Sequence, residues 1–286
     1  MNSEPDFTDF ANCSVAIWGL GLMGGSLAYA LSGRCASLIG IDPDAITVEL
    51  ATKSGIFDHV SPEPENLINK ADVIILAAPV CAILEQIQAL PRLHNQGCIV
   101  FDLGSTKMQI VNALRELPPR FDPLGGHPMC GNEHSSFQHA NANLFCEAAF
   151  ALVELNQTSA RAKTIAEQCV KIIGANPLWL DEKTHDQWTA MTSHSPYIVA
   201  NALAASISPD GKPMAGSGLK STSRLAAAAP EMMLDILKTN QEFLLESLNL
   251  FKNKLEEIET DIRNGEFKSL LVKLEEGRTA RNRLFQ

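Results

Sequence analysis

The sequence contains no C-x-x-C pair and no other cysteine spacing suited to a metal. Its seven cysteines stand apart, at positions 13, 35, 81, 98, 130, 146 and 169. An odd, scattered set reads as reduced thiols rather than a disulfide framework, and it predicts no metal centre. No basic stretch interleaves with aromatics, and the formal net charge is −10. Nucleic acid is therefore not an expected partner. Apolar runs are short, Val73–Ala78 being among the longest, whereas a membrane span needs about 20 apolar residues. Met1–Asn12 is polar and acidic and lacks the basic and apolar regions of a signal peptide. A cytoplasmic protein without membrane contact is expected. There is no internal repeat and no low-complexity segment.

What is present is a globular composition, 45% hydrophobic and 20% charged over 286 residues, enough for two domains with sizeable cores. β-rich runs recur in the first half at Val15–Trp18, Leu38–Ile41, Val73–Ala77 and Ile99–Asp102, and a further strand leads into Leu124. Helical patterns at Gly24–Leu31, Ala45–Lys53 and Ala82–Leu90 separate them. That alternation predicts βαβ units around a parallel sheet. Ala148–Glu154 and Leu178–Leu180 read as additional strands flanking a helix, Ser159–Gly174. After about Asp181 the texture becomes helical: His185–Ser206, a long run Glu231–Asn264 and Glu266–Arg283, with a Pro-, Gly- and Ser-rich loop at Ser208–Gly218. The predicted fold class is α/β, a Rossmann-type dinucleotide-binding domain over 1–180 followed by a helical domain over 181–286. The apolar positions of Glu231–Asn264 are read either as lying along their own domain or as facing a second subunit, which would make the protein a homodimer.

Gly19-Leu20-Gly21-Leu22-Met23-Gly24 fits G-x-G-x-x-G between a strand and an apolar helix, the context that the motif requires. The glycines allow a tight turn, close approach of a pyrophosphate and close helix–strand packing, and the helix N-terminus favours anions. Asp42 follows the second strand, where a carboxylate accepts from a ribose hydroxyl pair and repels a 2′-phosphate; no Arg follows it. The expected cofactor is NAD rather than NADP. Ala77, Ala78 and Pro79 end the third strand beside the nucleotide. Asp102-Leu103-Gly104-Ser105-Thr106-Lys107 closes the fourth. Ser105 there either faces the nicotinamide or caps the helix that follows. His127 follows another strand in the loop Gly125–Glu133 and is a candidate for catalysis.

Gly19–Gly24, Asp102–Lys107, Gly126–Glu133 with Leu144-Phe145, His185-Asp186 with Ser193-His194, and Gly216–Arg224 occur in one order. Together they resemble the prephenate/arogenate dehydrogenases, from about Ser14 to the helix after Pro230. The resemblance implies NAD-dependent oxidative decarboxylation of a cyclohexadienyl acid on the route to tyrosine, by a nucleotide-binding domain and an all-helical dimerisation domain. It implies that His127 engages the ring hydroxyl and that Ser105 hydrogen-bonds the same region. Arg224 is matched to a substrate-carboxylate partner, Ser193 and His194 to pocket positions, and Glu133 to the pocket entrance. Many members have His where Tyr197 stands, and Gly-Phe-Arg/Lys-Asp where Gly218-Leu219-Lys220-Ser221 stands, so Tyr197 is a further substrate-side candidate and the choice between prephenate and arogenate stays open. Neither an appended regulatory domain nor a preceding mutase domain is expected. Two other readings are a β-hydroxyacid or imine-type dehydrogenase using Lys183 or Lys220, and an NAD-binding sensor without turnover.

Overall fold

The computed structural model describes residues 9–131 and 136–285. The first part of the chain runs β1 (Ser14–Trp18), α1 (Leu22–Leu31), β2 (Ser37–Ile41), α2 (Ala45–Ser54), β3 (His59–Ser61), β4 (Val73–Leu76) and α3 (Val80–Leu93). It continues through β5 (Ile99–Asp102), α4 (Met108–Arg115), β6 (Asp122–Pro128), β7 (Ala149–Val153), α5 (Ala160–Ile172) and β8 (Asn176–Leu180). These strands form one eight-stranded sheet in the order β3-β2-β1-β4-β5-β6-β7-β8. β1 to β6 are parallel; β7 runs antiparallel to β6, and β8 pairs parallel with β7. The parallel sheet expected from the sequence is therefore mixed at one end. The three-residue edge strand β3 was not expected, because so short a run carries no periodicity.

Both faces of the sheet are covered, and the strands show it residue by residue. Val15 and Ile17 of β1, Val73 and Ile75 of β4, and Ile99 and Phe101 of β5 join one buried cluster with Leu27 of α1 and Ile165 of α5. Their alternates Ala16, Trp18, Ile74, Leu76 and Val100 join the other with Ile83 of α3 and Ile110 of α4. Strands apolar at every position are what a doubly covered sheet requires. The order reverses between β1 and β4, opening a crevice at the carboxyl ends of these strands, the usual ligand position in such sheets.

The helical part comprises α6 (Glu182–Thr189), α7 (Ser195–Ser206), α8 (Ser217–Thr222), α9 (Pro230–Thr239), α10 (Gln241–Asn264) and α11 (Phe267–Leu284). A π turn, Ala190–His194, joins α6 to α7. Pro196 cannot donate to the carbonyl four residues back, and the helix widens just before it. The long run Glu231–Asn264 is two helices rather than one: Asn240 leaves helical geometry, with φ −127° and ψ 34°. By contacts the chain forms two compact units, Met1–Asn240 and Gln241–Gln286. The second is the α10–α11 pair, which turns at Gly265 (φ 71°) and is tied by Lys273 Nζ to Asp261 Oδ2 at 2.6 Å.

Candidate active site

The glycine loop sits at the crevice. Gly19 has φ 108°, and a Cβ there would lie 2.6 Å from the carbonyl oxygen of Ala77. At Gly24 a Cβ would lie 1.8 Å from the carbonyl oxygen of Gly19. The turn can thus exist only without side chains at both positions. Gly21 caps α1 without any side-chain hydrogen bond, so the first-turn amides remain available to an anion. Asp42 Oδ2 accepts from the N–H of Leu20 at 2.7 Å and Oδ1 from the N–H of Asp44 at 2.9 Å. The loop, which includes Leu20, Leu22 and Met23, is thereby pinned to the end of β2, and Ala78 and Pro79 follow β4, with the backbone of Ala78 lying against Gly19.

A second group assembles at the carboxyl ends of β5 and β6. Lys107 and Asp102 form a fully buried ion pair. Asp102 Oδ2 also accepts from Gly104 N–H at 2.7 Å and Oδ1 from Gly126 N–H at 3.1 Å, which ties the turn after β5 to β6. His127 is the penultimate residue of β6, not a loop residue as the sequence suggested, and its backbone is held opposite Ala151 of β7. Its half-buried ring reaches His185: Nδ1 lies 2.9 Å from His185 Nε2. His185 Nδ1 lies 2.7 Å from Asp186 Oδ1. Burial pushes the His127 pKa well below 6.5, helped by the neighbouring His185, Lys107 and His194.

Asp186 is also the cap of α4, accepting from the N–H of Lys107 at 2.7 Å and of Met108 at 2.8 Å. Ser105 does not cap this helix, and its half-exposed hydroxyl makes no hydrogen bond among the described residues. Asn240 Nδ2 donates both to the carbonyl of Asp186 at 2.8 Å and to His194 Nδ1 at 3.1 Å. The irregular turn that breaks the long helix thus ties the end of α9 to α6 and the π turn. His194 is buried, whereas Ser193 beside it is exposed. Tyr197 is buried in a small cluster with Met233 and Ile236, against which Leu225 packs. Arg224 begins the short turn Arg224–Ala227, which lies on α7, and its exposed guanidinium makes no ion pair among the described residues. Glu133 lies outside the described residues. Lys183 and Lys220 are exposed.

His127, His185, Asp186, Lys107, Asp102, His194 and Asn240 are therefore joined by direct contacts, while Ser193, Tyr197 and Arg224 sit on the adjoining helical segments. Sequence reasoning missed Asn240 and gave His185 and Asp186 no role. Their one signal was an adjacent His-Asp pair just inside a helix start.

A glycine-loop crevice and a histidine-centred group on one doubly covered sheet define a nucleotide-dependent dehydrogenase. Residues 27–178 match the family profile "Prephenate dehydrogenase, nucleotide-binding domain", and residues 181–276 match "Prephenate dehydrogenase, dimerization domain". Prephenate dehydrogenase of Lactococcus lactis is 32% identical, over 93% of this chain and 76% of that protein. The crystal structure of prephenate dehydrogenase from A. aeolicus in complex with hydroxyphenyl propionate and NAD+ has a TM-score of 0.87 at 26% identity, covering 95% of this chain and 98% of that one. That of Synechocystis arogenate dehydrogenase has a TM-score of 0.82 at 28% identity, over 95% and 99%. The chain belongs to the prephenate dehydrogenase family.

Proposed function

We propose that the chain oxidises and decarboxylates a cyclohexadienyl acid with NAD, turning prephenate into 4-hydroxyphenylpyruvate or arogenate into tyrosine. The observation that carries the reading is His127, the penultimate residue of β6, whose ring lies 2.9 Å from His185 and whose pKa burial pushes well below 6.5. When bound, NAD supplies the hydride acceptor; Gly19–Gly24 hold its pyrophosphate and Asp42 its ribose. As hydride leaves the hydroxyl-bearing ring carbon and the ring carboxylate departs as carbon dioxide, His127 takes the hydroxyl proton and then returns it to the phenolate oxygen of the aromatised ring. A neutral imidazole is the competent form, and burial favours it. Ser105 hydrogen-bonds the same hydroxyl, Arg224 grips a substrate carboxylate, and Ser193, His194 and Tyr197 shape the pocket from the helical side. The substrate is a small molecule, and alignment supplies much of the remaining rate.

We assign nucleotide binding to 1–180 and substrate binding and dimerisation to 181–286. Leu180 ends the last strand, and the two family profiles divide at the same place. A homodimer is supported by Leu250, Phe251, Leu255, Phe267, Leu271 and Leu274 of the α10–α11 pair, all of them exposed in the single chain. Light scattering should return twice the 31.0 kDa chain mass; the single mass at micromolar protein contradicts a dimer. The seven free cysteines suit the cytoplasm. NADH formation measured separately with prephenate and arogenate tests the function and decides the substrate. No NADH from either refutes it.

A further inference from the structure

His127, His185 and Asp186 stand in a row, and the hydrogen-bond directions along it are fixed from one end. Asp186 is held by the backbone N–H groups of Lys107 and Met108 and by the side chain of Asn240. A carboxylate only accepts, so the 2.7 Å contact requires the proton on His185 Nδ1. His185 is 1% exposed, and burial lowers its pKa although the bond to Asp186 opposes that effect. Neutral His185 then has a bare Nε2, which can only accept. The 2.9 Å contact accordingly requires the proton on Nδ1 of His127. The bare nitrogen of His127 is Nε2, on the side of the ring away from His185. A neutral imidazole left to itself prefers the opposite arrangement, with its proton on Nε2.

Resting on the reading of His127 as the base, we infer that His185 and Asp186 are positioning residues that hold His127 in the Nδ1–H tautomer and so present Nε2 to the substrate hydroxyl. When His127 takes the proton, Nδ1–H still donates to His185, and the carboxylate of Asp186 stabilises the imidazolium through it without accepting the proton itself. The other charged or titratable groups facing the row are the Lys107–Asp102 pair on the β5–α4 side and His194 on the helical side. Lys107 and Asp102 offset one another, and His194 is buried, its Nδ1 engaged by Asn240. The remaining route for fixing the tautomer is the His185 contact.

Nitrogen-15 NMR of the full chain labelled at histidine reads the tautomer without turnover. In the wild type at neutral pH, Nε2 of His127 should carry the shift of an unprotonated ring nitrogen. His185→Gln can accept from His127 and donate to Asp186 at once, so the tautomer and most of kcat should survive. His185→Phe cannot, and His127 should revert to the Nε2–H form, with kcat lowered by the tenfold to hundredfold (roughly) typical of losing an outer partner of a functional histidine. Asp186→Ala removes the oxygen that accepts from His185 Nδ1 and from Lys107 N–H, so both rings should be free to invert and kcat should fall toward the loss of the general-base contribution, about 10²–10⁴-fold. That variant also loses the side-chain cap of α4; the Phe and Gln variants leave the cap intact, so they decide the question if it fails to fold. The Michaelis constant for NAD should not move in any of them. An Nε2–H tautomer in the wild type, or a His185→Phe protein with wild-type tautomer and kcat, overturns the inference. Failure of the base reading itself looks different: His127→Asn would keep its turnover whatever the tautomers are.

Discussion

Asp42 accepts a 2.7 Å hydrogen bond from the N–H of Leu20, so the acid at the end of β2 and the glycine loop are one unit. The carboxylate keeps lone pairs for a ribose diol, and its charge disfavours a 2′-phosphate. NAD should give the higher kcat/KM, and Asp42→Asn should narrow the gap by raising the Michaelis constant for NAD. Higher efficiency of the wild type with NADP contradicts this.

The buried Lys107–Asp102 pair should matter most to stability. Removing one member strands the other charge in a site without water, which costs about 3–5 kcal/mol. Lys107→Met should therefore lower the denaturation midpoint sharply, while Lys107→Met combined with Asp102→Asn should recover part of the loss. Urea titrations of the three proteins check it; a single variant as stable as the wild type is the opposing result.

Arg224 has an exposed guanidinium with no ion pair among the described residues. Arg224→Ala should leave stability unchanged and weaken substrate binding. Hydrogen bonds to a charged group are worth about 1.5–3 kcal/mol, on the order of tenfold to a hundredfold in the Michaelis constant for the acid. Steady-state kinetics at saturating NAD measure it, and an unchanged Michaelis constant removes Arg224 from the site.

His194 is neutral inside the fold, and burial lowers its pKa from 6.5 to about 4. The unfolded chain therefore binds the proton more readily between those values. The contribution is complete above pH 6.5 and is lost as pH falls toward about 4. His194→Gln, which can still accept from Asn240, should show a shallower loss of stability across that window. Parallel curves for the two proteins would show that His194 does not titrate this way.

The nucleotide half was legible because its signals are local. β1, β2, β4 and β5 are short apolar runs, and Gly19–Gly24 follows one of them directly. β3 was too short to register, and the antiparallel turn into β7 has no counterpart in periodicity. The break at Asn240 was hidden because apolar spacing continues through it; only the contacts with Asp186 and His194, 54 and 46 residues away, show why the helix stops. The candidate site was half legible. His127 stands out by its Gly- and Pro-rich surroundings, but its partner His185 lies 58 residues on. Nothing local announces that Asp186 caps α4 and displaces Ser105 from that task.

The pH dependence of kcat for the wild type and His127→Asn tests the central assignment most directly. If His127 is the base, only its neutral form can accept the hydroxyl proton, and burial pushes its pKa below 6.5. The wild-type rate should be level at neutral pH and fall through one ionisation below 6.5. His127→Asn should bind NAD normally, lose about 10²–10⁴-fold in kcat and show no acid limb. A variant with near-normal turnover and the same acid limb would show that the proton goes elsewhere.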